Sequence, residues 1–425
     1  MSPSTHHPHE DATYGPHGQG ERLTAGTDLA ARWLGASVMA ASDESFGEKE
    51  NLLTAAPAFF EPGHYGNRGE IVDGWETKRR REHGHDWALV RLGTPGLIGS
   101  VDVDTSFFTG NYPEYCSVEA CGCEGYPGPK DLRDPAVDWV EIVPRSPLHG
   151  DEHNTFPVSD PRRFTHLRLS AFPDGGIARL RVYGEILPDP RQIDGLTIDL
   201  ASQEYGGALV ASSDGFYTSA QMLNRPDQAR TMGEGWETRR RRDSGHDFAV
   251  FQLGFDGRIR QLVIDTSHFK YNASAEIAVY GCQQDPVPSV ESDKWELLLE
   301  KTRLQPDTRH VFMIHSDQVV GAIRLDAFPD GGLSRLRAVG RVDPTARKKA
   351  GYRWFNSLPA TQALRCLADA GIAPEFAVAV VDQRPLPDEW LDGPVLPPST
   401  EQDVHALTAM LEGASYEDPV ERRGS

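Results

Sequence analysis

The chain has 425 residues, which at about 150 residues per domain indicates two to three domains and excludes a single small module. It contains 43 Lys and Arg residues against 63 Asp and Glu residues, which gives a formal net charge of −20. This acidic balance argues against attraction to phosphate backbones or anionic lipid, so we expect no nucleic-acid partner and no membrane partner.

The N-terminal segment, residues 1–27, holds several His, Gly and Pro residues but neither a basic start nor an apolar core. We predict that it is disordered and that it is not a secretory signal. Nowhere does the chain approach the roughly eighteen consecutive apolar residues of a membrane helix. The five cysteines are few and odd in number, which does not suggest a disulfide framework, so we expect a reducing, cytoplasmic location.

An internal repeat organises most of the chain. The run DLAARWLGASVMAASDESF from Asp28 returns as DLASQEYGGALVASSDGFY from Asp199, and GWETKRRREHGHDWALVRLG from Gly74 returns as GWETRRRRDSGHDFAVFQLG from Gly235. The later blocks VDVDTSFFTGN and AFPDGGIARLRVYG return in the same order. The offset falls from 171 to 161 and then to 156, so the first copy has ten and then five extra residues. We expect these insertions in surface loops.

The repeat divides the chain into two modules and an extension. We place module one at 28–189, module two at 198–344 and a C-terminal extension at 345–425. Within the modules, short apolar runs of period two are interrupted by Gly, Pro, Asp or Asn, which predicts an all-β antiparallel sandwich or barrel. In the extension the pattern predicts helices over 360–370 and 400–411, so this part is expected to be partly helical.

The repeated blocks DGWETKRRREHGHDWALVRLG, VDVDTSFFTGNYP and AFPDGGIARLRVYG resemble the allantoicase family, over about residues 25–344 and in both copies. More distantly, each module resembles a discoidin or galactose-binding jelly roll. The resemblance implies two tandem jelly-roll β-sandwich modules and a hydrolase that converts allantoate to ureidoglycolate and urea in purine catabolism. The alternative is a noncatalytic ligand-binding protein made of two discoidin-like modules, because that fold more often binds ligands than performs chemistry.

Loss of urea from allantoate would break a C–N bond at a carbon that also carries the carboxylate. Such a step needs a cation for the carboxylate, polar groups for the ureido ends, an acid and a base, but no serine or cysteine nucleophile. A guanidinium can hold a carboxylate through two parallel hydrogen bonds, which makes an arginine of module one the expected anchor. The predicted catalytic residues are His85, Asp86 and Glu76. The predicted substrate-binding residues are Arg80, Arg79, Thr105, Ser106, Asn111 and Trp75.

Module two retains much of this set. The equivalent candidates are Glu237, Arg241, His246, Asp247, His268 and Asn272. Retention in both copies fits a structural role as well as a catalytic one, because a single active site would not require two copies. We expect the working site mainly in module one, which has the longer loops and has Gly110 where Tyr271 of module two could fill a pocket. A site shared across the module interface is the alternative.

The segment HGHD of module one places His83 and His85 at the alternating spacing of many metal hydrolases, but Ser244 replaces the first histidine in module two. Neither a denser ligand motif nor a matching pair of CxxC motifs accompanies it. We therefore predict no cofactor and no metal ligand, and a divalent-metal requirement stays open. The expected partner is the small molecule allantoate, with homo-oligomer formation also open.

Overall fold

The computed structural model describes residues 26–67, 69–392 and 399–413. Most of the predicted disordered segment 1–27 lies outside these residues. The described part of the chain forms two β-sheet modules, each organised around one eight-stranded sheet, followed by a helical extension. The predicted all-β architecture of two repeated modules is confirmed.

The strands of the two modules follow the same order. Those of module one are β1 (Thr27–Asp28), β2 (Ser37–Ala41), β3 (Tyr65–Gly66), β4 (Gly69–Glu70), β5 (Trp75–Glu76), β6 (Asp86–Asp104), β7 (Tyr115–Cys121), β8 (Val140–Pro147), β9 (His153–Pro157), β10 (Arg163–Phe172), β11 (Gly176–Ile177) and β12 (Arg179–Ile186). Those of module two are β13 (Ile198–Asp199), β14 (Ala208–Ser212), β15 (Trp236–Glu237), β16 (Asp247–Asp265), β17 (Glu276–Cys282), β18 (Glu296–Arg303), β19 (Arg309–Met313), β20 (Val320–Phe328), β21 (Gly332–Leu333) and β22 (Arg335–Val342).

Strand β6 is 19 residues long and belongs to both layers of its module. Its first part, residues 86–91, pairs with β10 and partly with β2, whereas residues 100–104 pair with β12 and β9. Alternate side chains of both parts, among them Val90 and Val103, enter one apolar core. The strand therefore crosses from one layer of a sandwich to the other. Strand β16 repeats this arrangement in module two.

Both ends of β6 lie at the same end of the sandwich. The backbone N–H of Asp86 donates to the carbonyl of Pro173 at 3.2 Å, and the N–H of Ala178 donates to the carbonyl of Asp104 at 2.8 Å. A chain segment of six residues, 173–178, thus contacts both ends of the strand. We call this the loop end of module one; it comprises residues 42–48, 74–86, 104–115, 149–153 and 172–178.

The C-terminal extension packs as a small helical unit. Its helices in the described residues are α1 (Pro344–Ser357), α2 (Ala360–Asp369), α3 (Pro374–Asp382) and α4 (Glu401–Glu412). Thr400 and Asp403 form a reciprocal capping box at the start of α4. Helices α2 and α4 match the two predicted helices, whereas α1 and α3 were missed. The buried positions of α1 recur at helical spacing, but Arg347 and Gly351 are two of them, so its buried aromatic residues, Tyr352, Trp354 and Phe355, lie only in its second half.

Eight short 3₁₀ helices complete the described secondary structure. They are Arg32–Leu34, Lys49–Leu53, Asp131–Arg133, Pro190–Ile193, Gln203–Tyr205, Ala220–Met222, Met232–Glu234 and Trp390–Asp392.

The modules meet away from the loop end of module one. Trp33 donates from Nε1 to Oε1 of Gln203 at 2.9 Å, and the Arg225 guanidinium lies 4.2 Å from the centroid of the Trp33 ring. Thr94, in the bend between the two parts of β6, donates from Oγ1 to the carbonyl of Glu204. These contacts belong to the opposite end of the module-one sandwich. A candidate site at its loop end is therefore separate from the junction.

An ion pair between a buried arginine and an aspartate fixes the extension to the segment between the modules. Arg347 of α1, with a side chain 7% exposed, binds both carboxylate oxygens of Asp194 at 2.5 and 3.0 Å. Arg191 also lies over the Trp354 ring, at 4.5 Å from its centroid. The extension therefore stabilises the connection between the modules.

We predict that Asp194→Ala destabilises the helical unit by about 1–3 kcal/mol, because it leaves the buried Arg347 guanidinium without a carboxylate and with only the carbonyls of Met410 and Leu411 as acceptors. Hydrogen exchange of the amides in residues 344–412 measures this effect. The matched control is Arg353→Ala, which removes the half-exposed pair with Glu185 and should cost less than about 1 kcal/mol. Equal protection in Asp194→Ala and the unsubstituted protein would show that this ion pair does not hold the unit.

Candidate functional site

The centre of the module-one loop end is an ion pair between Arg80 and Asp86. Arg80 donates from Nη1 to Oδ1 of Asp86 at 2.8 Å, and Ser42 donates from Oγ to the same oxygen at 2.9 Å. The backbone N–H of Arg80 donates to Asp174 at 2.8 Å. Gly84 has a φ of +137°, and an added Cβ there would lie 2.9 Å from the Arg80 guanidinium. The glycine of the HGHD segment thus allows the close approach of the loop.

Module two contains the same arrangement. Arg241 donates from Nη1 to Oδ1 of Asp247 at 2.7 Å, and Ser213 donates to that oxygen at 2.9 Å. The two modules differ at Nε of this arginine. In module two, Nε of Arg241 donates to Asp243 at 3.1 Å. In module one, Nε of Arg80 is buried and has no hydrogen-bond partner among the described residues. The shared pair holds the loop in both modules, and the two arginines differ in the environment of Nε.

The sequence suggested that Asp86 orients His85, but the structure shows other partners for Asp86. The Asp86 side chain is 1% exposed and accepts from Arg80 and Ser42 instead. The His85 ring is exposed and lies against Phe172, with 4.6 Å between the ring centroids. Partial burial, together with the charges of Arg80 and Arg168, lowers the pKa of His85, so its imidazole is favoured in the neutral form.

His246 has a different environment from His85. Its Nε2 lies 3.2 Å from Oδ2 of Asp326, a buried carboxylate of β20. The residue at this position in module one is Ser170, so His85 lacks that carboxylate. The two histidines therefore occupy matching positions with unlike partners.

Glu76 and Asn111 form a second group at the loop end. Asn111 donates from Nδ2 to Oε1 of Glu76 at 2.8 Å. Burial raises the pKa of the Glu76 carboxyl, and the hydrogen bond from Asn111 opposes part of that rise. In module two, Asn272 donates to Glu237 at 2.7 Å, and its amide also lies 3.2 Å from the sulfur of Met232.

Two predicted substrate-binding residues cannot contact a ligand. Trp75 is fully buried and donates from Nε1 to the carbonyl of Asp43, and Thr105 is fully buried and donates from Oγ1 to the carbonyl of His149. The prediction was wrong for both, because each side chain stabilises the loop end from within. Of the others, Ser106 is half-buried, whereas Arg79 is exposed.

Two expectations about module two also require correction. Tyr271 is 98% exposed and extends into solvent, so it does not fill a pocket. His268 interacts through Nε2 with the carbonyl of Ala229 at 2.9 Å, which ties two loops together. We interpret this histidine as a structural contact.

Sequence reasoning missed a pocket beside Asn111. The pocket has a volume of about 240 Å³ and is lined by Phe59, Phe60, Glu70, Val72, Asp73, Ser106, Phe107, Phe108, Thr109 and Asn111. Five of these residues belong to the part of module one in which the ten extra residues occur. The insertion was the one sequence feature that indicated a different loop structure here. Its length did not indicate which side chains would line a pocket beside Asn111.

The described residues contain neither a cluster of metal ligands nor a helix that could span a membrane. No group of three or more His, Cys, Asp or Glu side chains there is arranged to hold a metal ion. All five cysteines are free thiols. No helix within the described residues is both long enough and apolar enough to cross a membrane.

Comparisons with known proteins identify both modules. The family model described as "Allantoicase repeat" matches residues 27–187 and 198–343. A relative from Streptomyces coelicolor named "Probable allantoicase" is 45% identical over 344 residues, which cover 78% of this chain and 90% of that protein. A "Probable allantoicase" from Nocardia farcinica is 47% identical over 317 residues, covering 74% and 94%. The crystal structure of allantoicase from Saccharomyces cerevisiae is 33% identical with a TM-score of 0.63, covering 74% and 92%.

We predict that Asp86→Asn and Asp247→Asn destabilise the protein to a similar extent, by about 2–4 kcal/mol each, because each removes the charge that pairs with a partly buried arginine. Urea denaturation of the two variants measures the change. Ser45→Ala is a control, since its hydrogen bonds to Asp43 are exposed. A large loss for only one of the two aspartates would contradict a common structural role of the pair.

Proposed function

The chain belongs to the allantoicase family, and we propose on this basis that it hydrolyses allantoate to ureidoglycolate and urea in purine catabolism. The observation that carries the proposal is the family match over both modules, supported by relatives 45–47% identical across most of their length. This membership favours a hydrolase over the noncatalytic alternative of two discoidin-like modules. We propose the same module bounds that the sequence repeat predicts, residues 28–189 and 198–344.

We place the reaction at the loop end of module one. There, Glu76 is half-buried with a raised pKa, His85 is exposed with a lowered pKa, and the Arg80 side chain is 28% exposed. Acid and base groups whose environments move their pKa values in these directions are suited to proton transfer near neutral pH. Asp86 acts through Arg80, as a positioning residue.

The substrate carboxylate is the natural ligand of the arginines. Arg80 has Nη1 occupied by Asp86 but a side chain that is 28% exposed, and Arg79, the preceding residue, is exposed. Together the two side chains present donors of the planar kind that carboxylates accept. Both are therefore assigned to carboxylate binding, with Arg80 as the principal anchor.

In the hydrolysis, the bond between the central carbon and one ureido nitrogen breaks. The Glu76 carboxyl gives its proton to that nitrogen, so that urea leaves neutral. The oxygen of a water molecule forms the new bond to the carbon, and neutral His85 takes the proton that the water loses. Asn111 holds Glu76 in place and Ser106 lies near for hydrogen bonding to the substrate.

The remaining features belong to the same proposal. Allantoate is the small-molecule partner, and the proposed mechanism uses no cofactor. The cytoplasmic location and the homo-oligomeric state stay predictions.

Incubation of the purified full-length chain with allantoate tests the proposal directly. We expect urea to be released in proportion to enzyme concentration, both with and without EDTA. A chelator-sensitive reaction that added Mn²⁺ or Zn²⁺ restores would establish a metal requirement. If no urea above background forms under any of these conditions, the chain is not an allantoicase.

The role of Glu76 predicts unequal effects of matched substitutions in the two modules. Glu76→Gln should lower kcat by about 100-fold because the amide cannot give up a proton to the leaving group, whereas Glu237→Gln should change it by less than about twofold. Steady-state kinetics of urea release measure both values. Circular dichroism shows whether each variant is folded.

The pH profile gives an independent readout. Glu76 must be protonated, so kcat/KM of the unsubstituted enzyme should fall as the pH rises through its pKa, which burial raises. His85 must be neutral, so kcat/KM should also fall as the pH drops through its pKa, which burial and Arg80 lower. Glu76→Gln should lose the first of these two limbs. Equal losses in the Glu76 and Glu237 variants would indicate that both modules contribute to catalysis.

A further inference from the structure

The pocket beside Asn111 is formed by the loops of module one. Its walls include Phe59 and Phe60 from the insertion and Phe107 from the segment after β6. The rings of Phe60 and Phe107 are tilted by 34°, with 6.2 Å between their centroids. At about 240 Å³ the pocket lies below the roughly 300–1,000 Å³ of sites for drug-sized ligands, so it suits a small group.

An unusual backbone conformation directs Phe107 toward this pocket. Phe107 has a φ of +69°, which costs free energy in a residue other than glycine, and its N–H donates to Asp151 at 2.7 Å. His268 occupies the same position in module two, with a φ of +73° and an N–H that donates to Asp307 at 2.8 Å. Both modules thus share the strained turn and differ in the side chain that it presents.

Module two uses the corresponding region for contacts within the protein. His268 contacts the carbonyl of Ala229 at 2.9 Å, and the amide of Asn272 lies 3.2 Å from the sulfur of Met232. In module one, a phenyl ring replaces the imidazole, and the amide of Asn111 lines the pocket. The same turn therefore carries an internal contact in module two and an aromatic pocket wall in module one.

Two carboxylates in the pocket are held by fixed partners. Asp73 accepts from Nη2 of the buried Arg179 at 2.6 Å and from the N–H of Phe59 at 3.0 Å, both at Oδ2. Glu70 accepts from the N–H of Gly63 at 2.9 Å. Arg179 compensates the charge of Asp73. The carboxylates thus provide pre-oriented acceptors, which favour a neutral ligand that carries N–H donors.

We propose that this pocket binds a ureido group of the substrate, which rests on the proposed function. A ureido group is planar and neutral, so one of its faces can pack against the aromatic wall that Phe60 and Phe107 form. Its N–H donors are matched by the carboxylates of Asp73 and Glu70. Asn111 lines the pocket and contacts Glu76, which places the bound ureido group beside the acid that protonates the leaving nitrogen.

Binding of unreactive probes tests this inference apart from catalysis. N-carbamoylglycine has one ureido group and one carboxylate, and N-acetylglycine replaces its terminal NH₂ with a methyl group. By isothermal titration calorimetry, N-carbamoylglycine should bind at least about tenfold more tightly, because the analogue leaves the carboxylate acceptors without donors. Equal affinities would overturn the assignment of a ureido site.

A matched pair of substitutions locates the site. Phe60→Ala should raise the KM for allantoate and the Kd for N-carbamoylglycine by about tenfold, because it removes one aromatic wall. Phe216→Ala, at an exposed phenylalanine of the module-two loops, should leave both constants within about twofold. Thermal melting shows that both variants are folded. Unchanged constants in a folded Phe60→Ala protein would overturn the inference.

The outcomes separate this inference from the proposed function. If urea is released normally while Phe60→Ala changes neither constant, the hydrolase proposal stands and the pocket assignment fails. If no urea is released but N-carbamoylglycine binds in a Phe60-dependent way, the ureido site stands and the proposed reaction fails.

Discussion

The architecture depends on one long strand per module that serves both layers of its sandwich. Because β6 crosses from one layer to the other, its first and last residues, Asp86 and Asp104, return to the same end of module one. Segments distant in sequence are thereby brought together there, as the loops of β-sandwiches commonly are. The bend of the strand meets module two at the opposite end, through Thr94. The same constraint thus creates the site and separates it from the junction.

The two modules show how a duplicated frame can take on unequal roles. The frame is the buried arginine–aspartate pair, with separations of 2.8 Å in module one and 2.7 Å in module two. Around it, loop side chains of module two make internal contacts, as between His268 and the carbonyl of Ala229. Module one keeps an insertion and an open pocket. The difference lies in the partners of the repeated residues, which explains why identity between the copies does not by itself reveal the active copy.

The sequence was sufficient for the repeat, the β architecture and the family, because long matching blocks and period-two patterns are local properties. It was less informative about individual residues. Trp75 and Thr105 are polar or amphipathic side chains in a repeated block, yet burial assigns them to the core. Asp86 follows His85 in the chain, but alternation along β6 directs its carboxylate toward Arg80. The pocket around Phe107 depends on how an insertion folds over a distant strand end, which no local pattern specifies.

A crystal structure of the full-length chain with bound N-carbamoylglycine would test most directly whether the loop end of module one is the working site. We predict that the ureido group packs against Phe60 and Phe107, next to Glu76, with the carboxylate directed toward Arg80. Binding instead at the loop end of module two would contradict the account. So would binding in the larger cavity of about 650 Å³ at the junction of the modules and the extension.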